Sequence, residues 1–324
     1  MKPQPYAQAA QTVLMIRPKF FGFNHQTAGT NIFQNFFDNQ TDVSKKAVME
    51  FDRFVALLQK NKIDVIVIND QDFNITPDAV FPNNWFSTHH DGKVILYPLL
   101  AANRRLEVRP EIFKILMYKY NYPMPDFKNY TDLENEGLFL EGTGSLVFDH
   151  ANKIAYANIS SRTSRTVIEP VCRLLNYEPV TFYATSSDDD EIYHTNVLLT
   201  VAENFAVICA ESIITEKSKK TVVDRLASTG HEIILITYNQ VEAFAGNMLQ
   251  VRNKKGELVT IMSQKAYDCL EEQQLKAISK HSKILPVSIP VIERVGGGSV
   301  RCMMAEIFLP KTPALKKKPK AEKV

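Results

Sequence analysis

Short apolar runs and amphipathic stretches alternate along the 324-residue chain in one recurring order. Five segments share a layout: a polar or small residue opens an apolar run, a polar turn follows, and a second apolar run returns. They are NNWFSTHHDGKVILYPL from Asn83, EGTGSLVFDHANKIAYANIS from Glu141, HTNVLLTVAENFAVICAES from His194, NMLQVRNKKGELVTIMS from Asn247, and CMMAEIFLP from Cys302. Asp91-Gly92, His150–Lys153, Ala202–Asn204 and Lys254–Gly256 supply turn chemistry between paired strands. The five openings lie 58, 53, 53 and 55 residues apart, and a near-constant period is the mark of a repeat architecture.

Helical spacing of apolar residues fills the intervals. DVSKKAVMEFDRFVALLQKN (42–61), with Asp42 as its N-cap, SSRTSRTVIEPVCRLLNY (160–177) and QKAYDCLEEQQLKAIS (264–279) read as helices. Apolar or β-branched runs such as DVIVIND, EPVTFY and EIILITY follow the helical stretches as strands. The unit is hairpin, helix, strand, repeated five times. It predicts an α/β fold, a five-bladed pseudo-symmetric propeller forming a single domain over residues 1–310. On the pattern alone, the alternative is an open α/β sheet with accidental spacing. If the repeats close around an axis, Asn83, Glu141, His194, Asn247 and Cys302 converge on one central cavity.

Composition changes this picture little. The chain is 45% hydrophobic and 23% charged with a net charge of +2, the balance of an ordinary globular protein. Much of its basic character sits in the lysine-rich tail 311–324, expected to be disordered. Four cysteines without CxxC or zinc spacing predict no metal, no cofactor and no disulfide framework, and suit a reducing cytoplasm. No charged and apolar leader pattern opens the chain, and no apolar run reaches the length of a membrane span. A small-molecule substrate is expected, with neither nucleic acid nor membrane as partner; a homo-oligomer is left open.

The candidate chemistry lies at the repeat openings. A thiol attacks carbon only as thiolate, so Cys302 needs a neighbour that takes its proton. His194 can accept that proton and later give it to a leaving amine. Glu141, between LFL and GTG, is a buried carboxylate in need of a partner, and could orient the imidazole. Singly, each has a plainer reading: a core cysteine beside methionines, a satisfied strand-end histidine, a structural carboxylate. Their equal repeat phase favours a reaction site. His89-His90 read as a solvated turn, and ISSRTS (159–164) as a helix start. Gly296–Gly298 lack the spacing of a phosphate loop and read as backbone that lets the last strand begin at the axis.

Six stretches carry a family resemblance: VLMIRPKFFGFNHQTAGTN (13–31), PDAVFPNNWFS (77–87), FLEGTGSLVFD (139–149), YHTNVLLTV (193–201), FAGNMLQV (244–251) and GGGSVRCMMAEIF (296–308). With them the chain resembles the guanidino-group-modifying enzymes of the pentein superfamily, and within it most resembles bacterial citrulline utilization hydrolases. The resemblance implies Cys302 as nucleophile, His194 as general acid and base, and Glu141 as the orienting and substrate-binding carboxylate. It implies that Asn83, Asn84, Asn196 and Asn247 form the substrate seat, with Asn83, Asn84 and Asn196 at places where relatives carry acids. Gly144 falls where relatives carry an aspartate. A guanidinium offers donors only and is matched by carboxylates, whereas an amide offers donor and acceptor together. The asparagines therefore favour the neutral ureido group of citrulline, for which the resemblance implies hydrolysis to ornithine, carbon dioxide and ammonia. Arg17, Arg104, Arg105 and Arg301 are candidates to hold the substrate carboxylate, with Arg104 and Arg105 preferred. The alternatives are an arginine deiminase, a dimethylarginine hydrolase, an amidinotransferase, or a non-catalytic pentein binding module.

Overall fold

The computed structural model describes residues 6–36 and 40–311. Strand β1 (Thr12–Arg17) runs parallel to β2 (Asp64–Asn69), joined to it through the helix Gln40–Lys60. Strands β3 (Phe86–Thr88), β4 (Lys93–Leu96) and β5 (Asp126–Asn129) form a second sheet, and β6 (Val147–Asp149), β7 (Ile154–Asn158) and β8 (Glu178–Phe182) a third. Strands β9 (Leu199–Val201), β10 (Phe205–Ile208) and β11 (Glu232–Leu235) form the fourth. The fifth holds β12 (Leu249–Arg252), β13 (Leu258–Ser263) and β14 (Lys283–Val287). In each of these four sheets the middle strand is antiparallel to the first and parallel to the third. The hairpin unit explains the antiparallel pair, and the helical crossover the parallel one.

The last strand, β15 (Ala305–Glu306), pairs antiparallel with β1 through Val13↔Glu306 and Leu14↔Ala305. Five three-stranded sheets of one design thus follow one another as the blades of an α/β propeller. The fifth segment, CMMAEIFLP, differs from its expected layout because it has no return strand of its own. Its partner is β1, from the other end of the chain, so both ends of the chain contribute to one sheet, with β1 paired on both sides. Local sequence cannot display such a pairing.

Two helices depart from their expected bounds. The second spans Arg165–Leu175, because Ser160 and Thr163 bond each other's backbone in a turn before it. Its buried face is Val167, Ile168, Val171, Cys172 and Leu175, at helical spacing, and Asn176 ends it in the left-handed region. The third is two helices, Gln264–Cys269 and Glu272–Ser279, since Glu271 makes a capping box with Gln274. Asp42 lies inside the first turn of Gln40–Lys60 and pairs with Lys46 one turn on. From residue 312 the expected disordered tail lies outside the described residues.

Sheets and helices bury their apolar faces in four clusters, and the largest fully buried side chains include Trp85, Tyr97, Tyr156 and Phe51. His89 is also inside, contrary to the solvated turn expected of it: its Nε2 is 2.7 Å from Ser87 Oγ, itself 2.7 Å from Tyr97 Oη. Burial pushes the His89 imidazole down to about 3, so below its ordinary value the unfolded chain binds the proton and the folded protein does not. This histidine therefore costs stability as pH falls from about 6.5 toward 3, by up to about 1.4 kcal/mol per pH unit. Buried carboxyls with raised values act in the opposite sense, but they are common to wild type and variant. Urea unfolding at pH 7.5 and pH 5 should therefore show a smaller loss on acidification in His89→Gln than in wild type. Equal losses would contradict the assignment. Among the described residues no helix is long and apolar enough to cross a membrane.

Candidate active site

Each blade opens on a short turn that delivers one polar side chain inward. Asn83 and Asn84 end the turn Pro82–Asn84 before β3. Glu141 and His194 precede the single helical turns Gly142–Ser145 and Thr195–Leu198. Asn247 lies two residues before β12. Cys302 sits in a turn held by its own N–H on Ser299 O at 3.0 Å. Adjacent turns touch backbone to backbone: Gly142 adopts φ +48°, and a Cβ there would lie 2.3 Å from Asn83 O.

The structure brings the five openings together. His194 Nε2 lies 2.8 Å from Glu141 Oε2, both side chains buried. Glu141 is also 3.4 Å from Arg162 Nη1 and 3.8 Å from Arg104 Nη1, and its Oε1 accepts the N–H of Leu100 at 3.1 Å. Burial pushes the Glu141 carboxyl up, but Arg162, the His194 hydrogen bond and Arg104 outweigh it and hold Glu141 well below the usual carboxylate range. An ionised carboxylate only accepts, so Nε2 of His194 carries the proton and Nδ1 the lone pair. Burial, reinforced by Arg162 and Arg104 and opposed by Glu141, holds His194 at about 4. The imidazole is thus a neutral base at pH 7.

The Cys302 sulfur receives the side-chain amide of Asn247 at 3.4 Å and that of Asn196 at 3.6 Å. Asn247 is fixed by its own bonds to Asn196 O at 2.9 Å and to the Arg301 N–H at 3.1 Å. Asn247 Oδ1 lies 3.8 Å from the same sulfur, so both ends of this amide border Cys302. Cys172 and Cys209 lack such amides, and burial pushes them up to about 12 and about 11.

Not every expected residue faces the cavity that His194 and Cys302 share. Asn84 and Arg104 line it, while Arg105 turns to the carbonyls of Leu99 and Leu100, with Glu134 at 3.2 Å. Arg301 donates to Met304 O and Glu306 Oε2, and borders a separate small cavity with Gln8 and His150. Arg17 pairs with Asp52 at the surface. Asn83 donates to Thr143 Oγ1 at 3.2 Å, leaving its own oxygen without a partner.

Asp78, Arg162, Tyr193 and Asn31 also line the cavity and were missed in sequence. Asp78 stands five residues before Asn83 within PDAVFPNN, outside the repeat phase; Arg162 lay in the stretch read as a helix start. Asp78 Oδ2 accepts from Asn24 at 2.7 Å, Oδ1 has no partner, and burial raises its carboxyl. Arg162 donates to Thr27 O and Thr30 Oγ1, drawing the segment after β1 over the site. The free volume left, about 10 Å³, is about one water's worth.

The glycine triplet has a different role from the one expected. Gly296 ends the helix Pro290–Gly296, and Gly297 caps it at φ +62° with its N–H on Glu293 O. A Cβ on Gly297 would lie 2.6 Å from the Asn31 amide, and one on Gly296 2.8 Å from the Phe81 ring. Gly144 is tighter in consequence: its Cβ would lie 2.6 Å from both Asn84 Nδ2 and His194 Nδ1. Its φ is not in the left-handed region, so Gly144→Ala tests sterics alone. It should lower kcat by about 10²-fold through displacement of the base, with unchanged far-ultraviolet circular dichroism. Full activity would show that His194 Nδ1 has room to spare.

Solved structures share this architecture. The arginine dihydrolase ArgZ, from the ornithine-ammonia cycle in cyanobacteria, superposes with a TM-score of 0.71 at 17% identity over 93% of this chain. This chain spans 41% of full-length ArgZ but 99% of its substrate-bound N-terminal domain, at a TM-score of 0.70, 16% identity and 92% of this chain. A dimethylarginine dimethylaminohydrolase variant bearing an S-methyl-L-thiocitrulline adduct superposes at 0.62 with 12% identity, over 92% of this chain and all of its own. These likenesses establish the pentein fold. No curated protein matches by sequence. The family model described as N,N dimethylarginine dimethylhydrolase, eukaryotic, matches residues 17–309, and the chain belongs to that family.

Proposed function

We propose that the protein is a cysteine-dependent hydrolase of ureido or guanidino C–N bonds, most specifically one that converts citrulline to ornithine, carbon dioxide and ammonia. The observation that carries this reading is the buried pairing of a thiol under two amide donors with a His194–Glu141 couple on one cavity. Cys302 passes its proton to Nδ1 of His194, and sulfur adds to the ureido carbon. The C–N bond to the terminal nitrogen breaks as His194 returns the proton, releasing ammonia and leaving an S-carbamoyl adduct. Water, deprotonated by His194, attacks that carbon and breaks the C–S bond. The carbamic acid so formed separates into ornithine and carbon dioxide. One citrulline and one water balance the products. Arg104 and Arg162 are the arginines that line the cavity; with the Arg104 nitrogens engaged by Glu107 and Asn84, Arg162 is the one assigned to the substrate carboxylate, and residues 1–310 act as one catalytic domain in the cytoplasm.

One observation favours a second reading. Asp78 lines the cavity and has a buried oxygen without a partner, which suits the N–H groups of arginine, and ArgZ is an arginine dihydrolase. A panel of citrulline, arginine, methylarginines and agmatine, with ornithine and ammonia measured together, decides between them. Citrulline should give the highest kcat/KM, with one ammonia per ornithine. Preference for arginine would overturn the ureido assignment.

A further inference from the structure

We propose that Glu107 is a positioning residue for substrate choice: acting through Arg104, it fixes the Asn84 amide with its NH₂ group toward the reacting end of the cavity. This rests on the reading of the site as a ureido hydrolase.

Arg104 is buried, and Glu107 holds its fork from below. Nε donates to Glu107 Oε1 at 3.1 Å and Nη2 to Oε2 at 2.9 Å, with Phe81 O at 3.3 Å from Nη2. The remaining nitrogen, Nη1, donates to Asn84 Oδ1 at 2.8 Å. A guanidinium has no acceptor. The Asn84 atom facing it must therefore be the carbonyl oxygen, and the NH₂ must face the other way. That Nδ2 is buried and has no partner in the protein. The place where a Cβ on Gly144 would stand is 2.6 Å from it and 2.6 Å from His194 Nδ1. The free donor thus lies beside the base nitrogen.

A donor at that point discriminates. The carbonyl oxygen of a ureido group satisfies it, whereas the corresponding nitrogen of a guanidinium brings a second donor against it. Asn84 taken alone is indifferent, since an amide can present either end. Glu107 removes the choice. Without its carboxylate the Arg104 fork has other acids nearby, Asp78 Oδ2 at 3.7 Å and Glu141 Oε2 at 3.8 Å, and can leave Asn84 free to turn.

The test is kcat/KM for citrulline and for arginine in wild type, Glu107→Gln, Asn84→Asp and the double variant. Asn84→Asp keeps an acceptor for Arg104 and puts an oxygen where the donor was, so it retains a charged partner for the buried guanidinium. Wild type should favour citrulline. Glu107→Gln should lower the citrulline-to-arginine ratio about tenfold or more, mainly through the KM for citrulline. Asn84→Asp should lower it at least as far, and adding Glu107→Gln to Asn84→Asp should change the ratio by no more than about twofold. A merely structural Glu107 would depress both substrates alike. If wild type favours citrulline and Asn84→Asp keeps its ratio, or Glu107→Gln acts equally in both backgrounds, this inference fails alone. A wild type without citrulline preference overturns it together with the ureido reading.

Discussion

Cys302→Ala should lose at least about 10⁴-fold in kcat/KM, roughly 5.5 kcal/mol of barrier, on whichever substrate the wild type turns over. No other thiol lines the cavity: its polar lining groups are amides, guanidiniums, an imidazole, the Asp78 carboxyl and the Tyr193 hydroxyl, which is tied to Gly297 O at 2.6 Å. The substitution removes one buried atom from a turn whose backbone bonds do not involve it, so the fold should survive. Thermal unfolding near the wild-type temperature, with calorimetric binding of citrulline retained, would separate lost chemistry from lost structure. Mass spectrometry of wild type quenched during turnover should find an adduct on the peptide containing Cys302. A variant that keeps most of its activity removes the thiol from the mechanism.

Glu141→Gln should be costly in both stability and rate. The Glu141 carboxylate is shared by His194, Arg162 and Arg104, all buried. A neutral amide leaves part of the guanidinium charge uncompensated, and losing one partner of a buried ionic network costs roughly 3–5 kcal/mol. It also ends the preference that keeps the proton on Nε2 and the lone pair on Nδ1, so kcat should fall at least about 10²-fold. Urea unfolding measures the first effect and steady-state kinetics the second. Stability within about 0.5 kcal/mol of wild type would show that Arg104 and Arg162 are balanced by Asp78 and Glu107 without Glu141.

The repeat unit was legible because it is local. Turn residues, alternating strands and helical spacing each act over a few residues, so their recurrence at 53 to 58 positions stands out in the chain itself. For the same reason the openings at Asn83, Glu141, His194, Asn247 and Cys302 were found: equal phase in a ring means a common axis. The sequence by itself thus determined the blade and the identity of the groups that meet. The partner of the last strand, the burial of His89, the contributions of Asp78 and Arg162, and the turning away of Arg105 and Arg301 were decided only by the tertiary structure. Each depends on which surface of one blade lies against the next. So does the direction of the Asn84 amide, whose two ends are equivalent in sequence until a buried guanidinium, offering donors alone, faces one of them.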